Sequence, residues 1–343
     1  FMSGTEPLNC GGISERDNGN GSLMRILPLL FYIQSMYGTD FQEEDEAFEI
    51  IHQVSALTHA HKRSKIACGI YISIASMLIG NMDIRIAVDS GIHKAVEYYK
   101  QKTEFQTDLK YYSRLTEKKF CYLGEGDIKS SGYVVDTLET AIWCLINTKS
   151  YKECVLLAVN LGDDTDTIAA VAGGLAGLYY GYENIPMEWV MQIAKRDYIE
   201  ELSNMFHHSL IERSIEKLIT FKSYFENAKG EDVCHWGGGE KLGEKYYTTS
   251  YPVYDKALDD FIQTVYKTNL ISYNYLEIIE QYGLHDTEKM NEAIGIADLE
   301  LTLAILTGYI RQERFCDGLW ESAVEDKTFL KLLIRMESLI TLE

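Results

Sequence analysis

Apolar residues recur with the spacing of an α-helix along most of the 343-residue chain, and only four prolines interrupt the pattern. Because a period of 3.6 residues places apolar side chains on one helix face, the pattern predicts a mainly helical protein. Strand-like alternation is scarce. The expected helices span residues 23–36, 43–57, 59–79, 84–101, 133–147, 151–160, 166–180, 187–197, 199–225, 254–266, 273–282, 292–310 and 328–339. The expected fold class is therefore all-α.

The composition changes after about residue 226. Residues 227–250 contain five glycines among mixed charges, which predicts a linker. A chain of this length can bury two separate cores. We therefore expect a helical domain over residues 1–226, a linker over 227–250 and a small helical domain over 251–343.

The chain carries 32 basic and 52 acidic residues, a formal net charge of −20. This balance argues against a nucleic-acid-binding patch and against attachment to anionic membranes. No apolar run is long enough for a membrane span, and no signal peptide opens the chain. The seven cysteines are scattered without a CxxC pair, which is typical of a reducing compartment. We therefore expect a cytoplasmic protein, and the first residue, Phe1, suggests a piece of a longer chain.

An acidic segment, Asp163-Asp164-Thr165-Asp166-Thr167, precedes a run of mostly Ala and Gly. On a helix Asp164 and Thr167 share a face, and Asp166 lies at the same end. A single capping residue suffices for a helix N-terminus, so the additional carboxylates favour a bound divalent cation over a plain cap. Oxygen ligands suit Mg²⁺ or Mn²⁺. The candidate metal ligands are Asp164, Asp166 and Thr167, with an ordinary helix cap as the alternative.

A second segment, Asn18-Gly19-Asn20-Gly21-Ser22, precedes the helix expected over residues 23–36 and is called the Asn-Gly loop below. Asn and Gly tolerate left-handed backbone conformations and let backbone amides approach a ligand. The segment is either a cradle for a ribose or a diphosphate or only a tight turn. Arg25, just beyond it, contacts a phosphate or, as is commoner, forms an internal salt bridge.

Two weaker signals complete the candidate site. His59 and His61 are two residues apart, so they do not share a helix face and make a poor zinc pair. We expect His59 to donate a hydrogen bond to a phosphate and His61 to be structural. Ser131-Gly132-Tyr133 opens the helix expected over 133–147, and its amides either face a ligand or serve ordinary capping.

Together, segments 18–25, 57–59, 131–134 and 162–181 resemble the ADP-ribosylglycohydrolase family, and the resemblance covers about residues 1–225. It implies an all-helical fold and a two-metal centre of Mg²⁺ or Mn²⁺. It also implies an ADP-ribosylated substrate, or a similar small molecule, whose bond between ADP-ribose and an acceptor is hydrolysed. By motif, the metal ligands are Asp164, Asp166 and Thr167. The substrate-binding positions are Asn18, Gly19, Asn20, Gly21, Ser22, His59, Ser131, Gly132 and Tyr133.

The sequence departs from the family pattern at its start. The family has a Thr-Asp-Asp cluster that supplies the remaining metal ligands, and an acidic residue for acid/base chemistry ahead of the Asn-Gly loop. No Thr-Asp-Asp occurs in this chain. We therefore expect an incomplete metal centre, a catalytic acid in an absent N-terminal segment and an inactive chain as given. The alternatives are an ADP-ribose-binding protein without catalysis and a different dinuclear-metal hydrolase of phosphate esters.

Residues 311–320 resemble a small bacterial domain family of unknown function. We expect Phe315 and Trp320 in its core. Four charged residues form either a recognition site or, as the favoured interpretation, interior salt bridges: Arg311, Glu313, Arg314 and Asp317.

Overall fold

A computed structural model describes residues 6–80, 82–239, 248–268 and 270–341. Within these ranges the all-α class is confirmed, since the chain forms eighteen α-helices and one two-stranded sheet. The helices are α1 (Leu29–Tyr37), α2 (Asp45–Ala56), α3 (Lys62–Ile79), α4 (Ile84–Lys100), α5 (Gln106–Leu109), α6 (Val134–Ile146), α7 (Tyr151–Asn160), α8 (Thr165–Tyr180), α9 (Met187–Val190), α10 (Arg196–Ile219), α11 (Lys222–Asn227), α12 (Gly230–Val233), α13 (Lys256–Lys267), α14 (Tyr275–Gln281), α15 (Thr287–Ala293), α16 (Leu299–Gln312), α17 (Leu319–Glu325) and α18 (Thr328–Ile340). Strands β1 (Cys234–Gly237) and β2 (Tyr251–Tyr254) pair antiparallel. Among the described residues, no helix combines the length and apolar character needed to cross a bilayer.

The chain divides into two compact units, one ending at Glu201 and the other beginning at Leu202. The predicted linker, residues 227–250, contains α12 and β1, while its residues 240–247 lie outside the described part of the chain. The domain boundaries expected at residues 226 and 251 stay a prediction.

The first unit is built around α3, which is buried on all sides along most of its length. A helix that is apolar all round belongs in the middle of a bundle. Helices α2, α4, α6 and α8 pack against it. Gly91 allows α4 to approach closely, since a Cβ there would lie 2.5 Å from the Ile74 Cα. Each large aliphatic side chain buried here contributes roughly 1.5–3 kcal/mol.

Several predicted helices begin or end elsewhere. The helix expected over 23–36 is a short 3-10 turn, Leu23–Arg25, followed by α1, which begins only after Pro28. Proline lacks an amide hydrogen and restricts the residue before it, which explains the break. The helix expected over 187–197 ends at Val190, and Lys195 has a left-handed φ of 57° before α10 begins. The helix expected over 199–225 is broken between α10 and α11.

The second unit has its own aromatic core. The Phe225, Phe261 and Phe329 rings pack mutually, with centroid separations of 4.8, 5.3 and 5.5 Å. Lys327 precedes α18 and donates to the carbonyls of Phe225 and Ala228 at 3.0 and 2.7 Å. It thereby satisfies carbonyls that the end of α11 leaves free.

Two expectations for residues 311–320 are wrong. Phe315 is 78% exposed, because it lies in the turn between α16 and α17 rather than on a core-facing helix. The buried Glu313 carboxylate is satisfied by the Tyr254 hydroxyl and by the amides of Gly318 and Trp320, at 2.9 and 2.8 Å for the amides. These neutral donors stand in place of the interior salt bridge expected at this carboxylate. Trp320, which was expected in the core, is half-buried.

Candidate functional site

The acidic segment ends in a turn that presents Asp164 at the start of α8. Gly162 and Asp163 have φ values of +84° and +55°, and a glycine suits the first of these left-handed positions. The Asp164 side chain forms no capping bond with the helix. Its Oδ2 instead accepts a hydrogen bond of 2.6 Å from the Asn20 Nδ2. The ordinary-cap interpretation therefore does not describe Asp164.

The other predicted metal ligands, Asp166 and Thr167, lie two and three residues further along, in the first turn of α8. Asp166 is exposed, whereas Thr167 is buried. In the described part of the chain, no group of three or more His, Cys, Asp or Glu residues could hold a metal ion. Asp164, Asp166 and Thr167 include only two carboxylates, so they are not a group of this kind. Their role as ligands stays a prediction.

The Asn-Gly loop joins three parts of the first unit. Gly19 pairs with Tyr133 as an antiparallel bridge, and the Val134 amide donates to the Asn18 carbonyl at 3.0 Å. The Asn20 Nδ2 donates to the Thr137 Oγ1 at 2.9 Å as well as to Asp164. Both hydrogens of this amide nitrogen are thus used, which fixes the side-chain orientation and leaves Oδ1 as a pure acceptor.

Asn18 and Ser22, at the two ends of the loop, differ in their surroundings. The Asn18 Nδ2 donates to the Glu15 carbonyl at 3.1 Å, while its Oδ1 is buried and the structure shows no donor to it. A buried acceptor without a donor is costly, so it is a candidate contact for a ligand. Ser22 is fully buried and its hydroxyl accepts from the Cys68 thiol at 3.6 Å. Its side chain therefore faces the core.

His59 lies against the glycines of the loop. A Cβ at Gly21 would lie 2.7 Å from the His59 Cε1, and one at Gly19 would lie 3.3 Å from its Nε2. A side chain at Gly21 would displace the His59 ring, and one at Gly19 would press against it. The pKa of His59 is lowered by burial and by the nearby Arg25 charge, so its imidazole is neutral at pH 7.

The turn before α6 completes the site. The Ser131 hydroxyl donates to the Asp136 carboxylate at 2.6 Å and accepts from the Tyr133 amide at 3.2 Å, which is local turn chemistry. A Cβ on Gly132 would lie 3.2 Å from the Asp164 Oδ2, so this turn and the acidic segment are in contact. The structure thus brings segments 18–22, 131–133 and Asp164 together.

Arg25 and His61 each have partners within the protein, and the His61 Nε2 lies 3.8 Å from the Glu15 carboxylate. Arg25 Nη2 donates to the Val54 carbonyl and the Thr58 hydroxyl, both at 2.8 Å. These neutral acceptors stand where the sequence favoured a carboxylate, and the phosphate contact stays a prediction. His61 caps α3, and its Nδ1 accepts from the Arg63 amide at 3.2 Å. This is the structural role expected for it.

Two residues beside the site escaped the sequence analysis. Thr137 lies one turn after Tyr133 on α6, so a helical projection from Tyr133 could have found it. Asp17 directly precedes the loop, and its carboxylate accepts from the Ser14 hydroxyl and amide at 2.6 and 2.8 Å. These bonds, the hydroxyl bond first, lower the pKa of Asp17, so it is ionised at neutral pH.

Comparison with known families agrees with this geometry. Residues 2–216 match the ADP-ribosylglycohydrolase family, and residues 211–341 match a family of unknown function, DUF6508. The first match covers more than half of the chain. The chain therefore belongs to the ADP-ribosylglycohydrolase family, which confirms the resemblance inferred from the motifs.

Three curated relatives show the extent of the similarity. The ADP-ribosylarginine hydrolase Tri1 of Serratia proteamaculans is 30% identical over 198 residues, which are 58% of this chain and 49% of that protein. Its namesake from Pseudomonas putida is 50% identical over 76 residues, 22% of this chain and 20% of that protein. The ADP-ribosyl-[dinitrogen reductase] glycohydrolase of Rhodospirillum rubrum is 30% identical over 180 residues, 52% of each. The chain thus spans about half the length, or less, of these relatives.

Proposed function

We propose that the site formed by residues 18–22, residues 131–133 and Asp164 binds ADP-ribose and that the chain hydrolyses the bond between ADP-ribose and an acceptor. One observation carries this proposal. The Asn20 amide nitrogen holds Asp164 at 2.6 Å and Thr137 at 2.9 Å, and so unites segments that lie far apart in the sequence. Membership of the ADP-ribosylglycohydrolase family supports the same reaction class.

The reaction places simple demands on the site. A water oxygen bonds to the anomeric carbon of the ribose, the bond from that carbon to the acceptor breaks, and the acceptor gains the proton lost by water. The transition state resembles an oxocarbenium ion. The neutral His59 and the Asn18 Oδ1 offer a donor and an acceptor for oxygens of the ligand. Asp17 is the ionised carboxylate nearest in sequence to the loop, and we propose it as the group that orients the water.

We propose arginine as the acceptor. Two of the relatives are named ADP-ribosylarginine hydrolases, and one of these is 50% identical over the matched residues. A guanidine that leaves from the anomeric carbon takes up a proton and departs as a stable cation. ADP-ribosylated arginine is therefore the first substrate to test.

We also propose that Asp164, Asp166 and Thr167 bind Mg²⁺ or Mn²⁺. The family is generally metal-dependent, and these three oxygen donors suit a hard divalent ion. A cytoplasmic location and the absence of a nucleic-acid partner also remain predictions of the sequence.

Calorimetry with ADP-ribose tests the binding part of the proposal, in Mg²⁺, in Mn²⁺ and in a chelator. Asp164→Asn should weaken binding at least about tenfold, because it removes the charge that holds the Asn20 amide. Asp163→Asn is the matched control, since this neighbouring carboxylate is exposed, and it should leave the affinity unchanged. Equal effects of the two substitutions would contradict the assignment of the site. Tighter binding with Mg²⁺ or Mn²⁺ than in chelator is expected if the acidic segment holds the ion.

Release of ADP-ribose from an ADP-ribosylated arginine peptide tests the reaction. Release that is lost in Asp164→Asn and reduced in Asp17→Asn supports the proposal. Binding of ADP-ribose without release, the outcome expected from the missing Thr-Asp-Asp cluster, would overturn the hydrolase assignment in favour of a binding protein. Turnover of a phosphate ester without ADP-ribose binding would overturn both parts in favour of a phosphoester hydrolase.

A further inference from the structure

A chain of hydrogen bonds runs from Arg25 to the ring of His59. Arg25 Nη2 donates to the Thr58 Oγ1 at 2.8 Å, and the same oxygen lies 2.9 Å from the His59 Nδ1. The other hydrogen of Arg25 Nη2 is used by the Val54 carbonyl at 2.8 Å. The guanidinium is therefore anchored to the end of α2 and directed at the Thr58 hydroxyl.

The chemistry of these groups determines which atom donates in each hydrogen bond of this series. A guanidinium only donates, so the Thr58 oxygen is the acceptor of its bond with Arg25. The hydroxyl hydrogen can then donate to the His59 Nδ1, and this arrangement uses every group. In the reverse arrangement the His59 Nδ1–H would donate to the Thr58 oxygen, which already accepts a hydrogen from the Arg25 guanidinium. It would also turn the hydroxyl hydrogen away from the ring.

The backbone of His59 is held by contacts that do not involve Arg25 or Thr58. The Ser55 hydroxyl donates to the His59 carbonyl at 3.0 Å, and the His59 backbone pairs in parallel with Gly12. The ring then packs on the loop, with Nε2 3.3 Å from the Cβ positions of both Gly19 and Gly21. The nitrogen on the loop side is thus the one that the Thr58 hydroxyl does not contact.

We propose that Arg25 and Thr58 are positioning residues that keep the hydrogen of the neutral His59 ring on Nε2. An N–H on the loop side recognises an acceptor oxygen, such as one of a diphosphate or a ribose. This consequence for ligand binding rests on the proposed function, whereas the tautomer itself does not. An unprotonated Nε2 would repel the same oxygen. The relay, meaning the hydrogen bonds from Arg25 through Thr58 to His59, thus decides whether Nε2 presents a donor or an acceptor to the ligand.

Nitrogen NMR of the full chain labelled with ¹⁵N-histidine tests the tautomer, with the signals of His59 assigned from a His59→Gln variant. In the unmodified protein near pH 7.5 we expect a bare Nδ1 that accepts a hydrogen bond and a protonated Nε2. Thr58→Val should move both nitrogen shifts toward a mixture of tautomers, and Thr58→Ser should restore them. Because Thr58 is exposed, the valine variant should still fold. A hydrogen on Nδ1 in the unmodified protein, or unchanged shifts in Thr58→Val, would overturn the proposal.

The role of Arg25 is tested in the same spectra. Arg25→Met frees the Thr58 oxygen to accept from Nδ1, so the population with the hydrogen on Nδ1 should rise, while Arg25→Lys should keep the original state. A methionine variant with unchanged shifts would show that the guanidinium does not set the tautomer.

Calorimetry with ADP-ribose then separates this proposal from the proposed function. Thr58→Val should weaken binding about tenfold and Thr58→Ser should recover it. If the tautomer is as expected but the unmodified protein does not bind ADP-ribose, the relay stands and the proposed function falls. If the protein binds ADP-ribose and Thr58→Val binds equally well, the link between the relay and the ligand is refuted.

Discussion

Replacing Thr137 by valine tests how the Asn-Gly loop is held in place. Thr137 is fully buried on α6, and valine has nearly the same shape. The hydroxyl accepts from the Asn20 Nδ2 at 2.9 Å and donates to the Ser131 carbonyl at 3.1 Å. The substitution therefore leaves the packing intact and removes two hydrogen bonds that join the loop to the turn before α6.

The cost follows from those two bonds. Each contributes about 0.5–1.5 kcal/mol net, so Thr137→Val should lower the free energy of unfolding by about 2 kcal/mol. In a unit of about 200 residues this corresponds to a melting temperature lower by about 4–8 °C. Thr140→Val is the matched control, because Thr140 is also fully buried on α6 but makes a single bond, to the Lys129 carbonyl at 2.7 Å. It should cost about 1 kcal/mol.

Urea unfolding followed by circular dichroism measures the stability, and calorimetry measures ADP-ribose binding. Of these two substitutions only Thr137→Val should weaken binding, because Thr137 helps to orient the Asn20 amide and Thr140 does not contact it. Thr137→Ser keeps the hydroxyl and should restore the affinity, although the lost methyl group at this buried position still costs some stability. If Thr137→Val and Thr140→Val bind ADP-ribose equally well, the Thr137 hydroxyl does not support the binding site.

Two further predictions concern the core of the first unit. Gly69→Ala should lower the free energy of unfolding by about 2 kcal/mol or more, since its Cβ would lie 2.0 Å from the Tyr99 hydroxyl oxygen. The control Gly177→Ala should be neutral or stabilising, because its Cβ would meet nothing closer than 3.8 Å. Equal melting temperatures of the two variants would contradict this expectation. Burial lowers the pKa of His52 to about 3, so below its usual pKa of 6.5 the unfolded chain takes up a proton that the folded chain does not. His52 should therefore make a contribution to the free energy of unfolding that declines as the pH drops below 6.5, by up to about 1.4 kcal/mol per pH unit. Urea unfolding at pH 7 and pH 5 should show this loss in the unmodified protein and a smaller one in His52→Gln, and identical losses would refute it.

The helical class could be predicted from the sequence because periodicity is a local property. The helix breaks were partly predictable too, since Pro28 alone accounts for the late start of α1. The hairpin of β1 and β2 was missed because each strand has only four residues, too few for alternation to stand out. Its pairing also depends on distant residues, Cys234 opposite Tyr254, which no short window contains.

The candidate site shows the same division between local and distant information. Composition singled out the Asn-Gly loop and the acidic segment as separate features. It did not show that the Asn20 amide contacts Asp164, a residue 144 positions away, because that contact depends on how α6 and α8 pack. For the same reason the expected salt bridge of Arg25 was wrong, since nearby neutral acceptors on and after α2 take its hydrogens.

The charge of the chain makes these neutral contacts important. ADP-ribose is an anion, and the chain carries a net charge of −20. Two arginines near the loop already have partners, since Arg25 donates to Thr58, and the buried Arg63 pairs with Glu15 and Asp108 at 3.0 Å each and donates to the Tyr133 hydroxyl at 3.4 Å. We therefore expect oriented neutral donors to contribute to the recognition of an anionic ligand. Such donors are effective only when their hydrogens point the right way, because a misoriented amide or imidazole presents a lone pair to the same oxygen. Uncharged residues that set these orientations, Thr58 and Thr137, should thus influence binding as strongly as residues that touch the ligand.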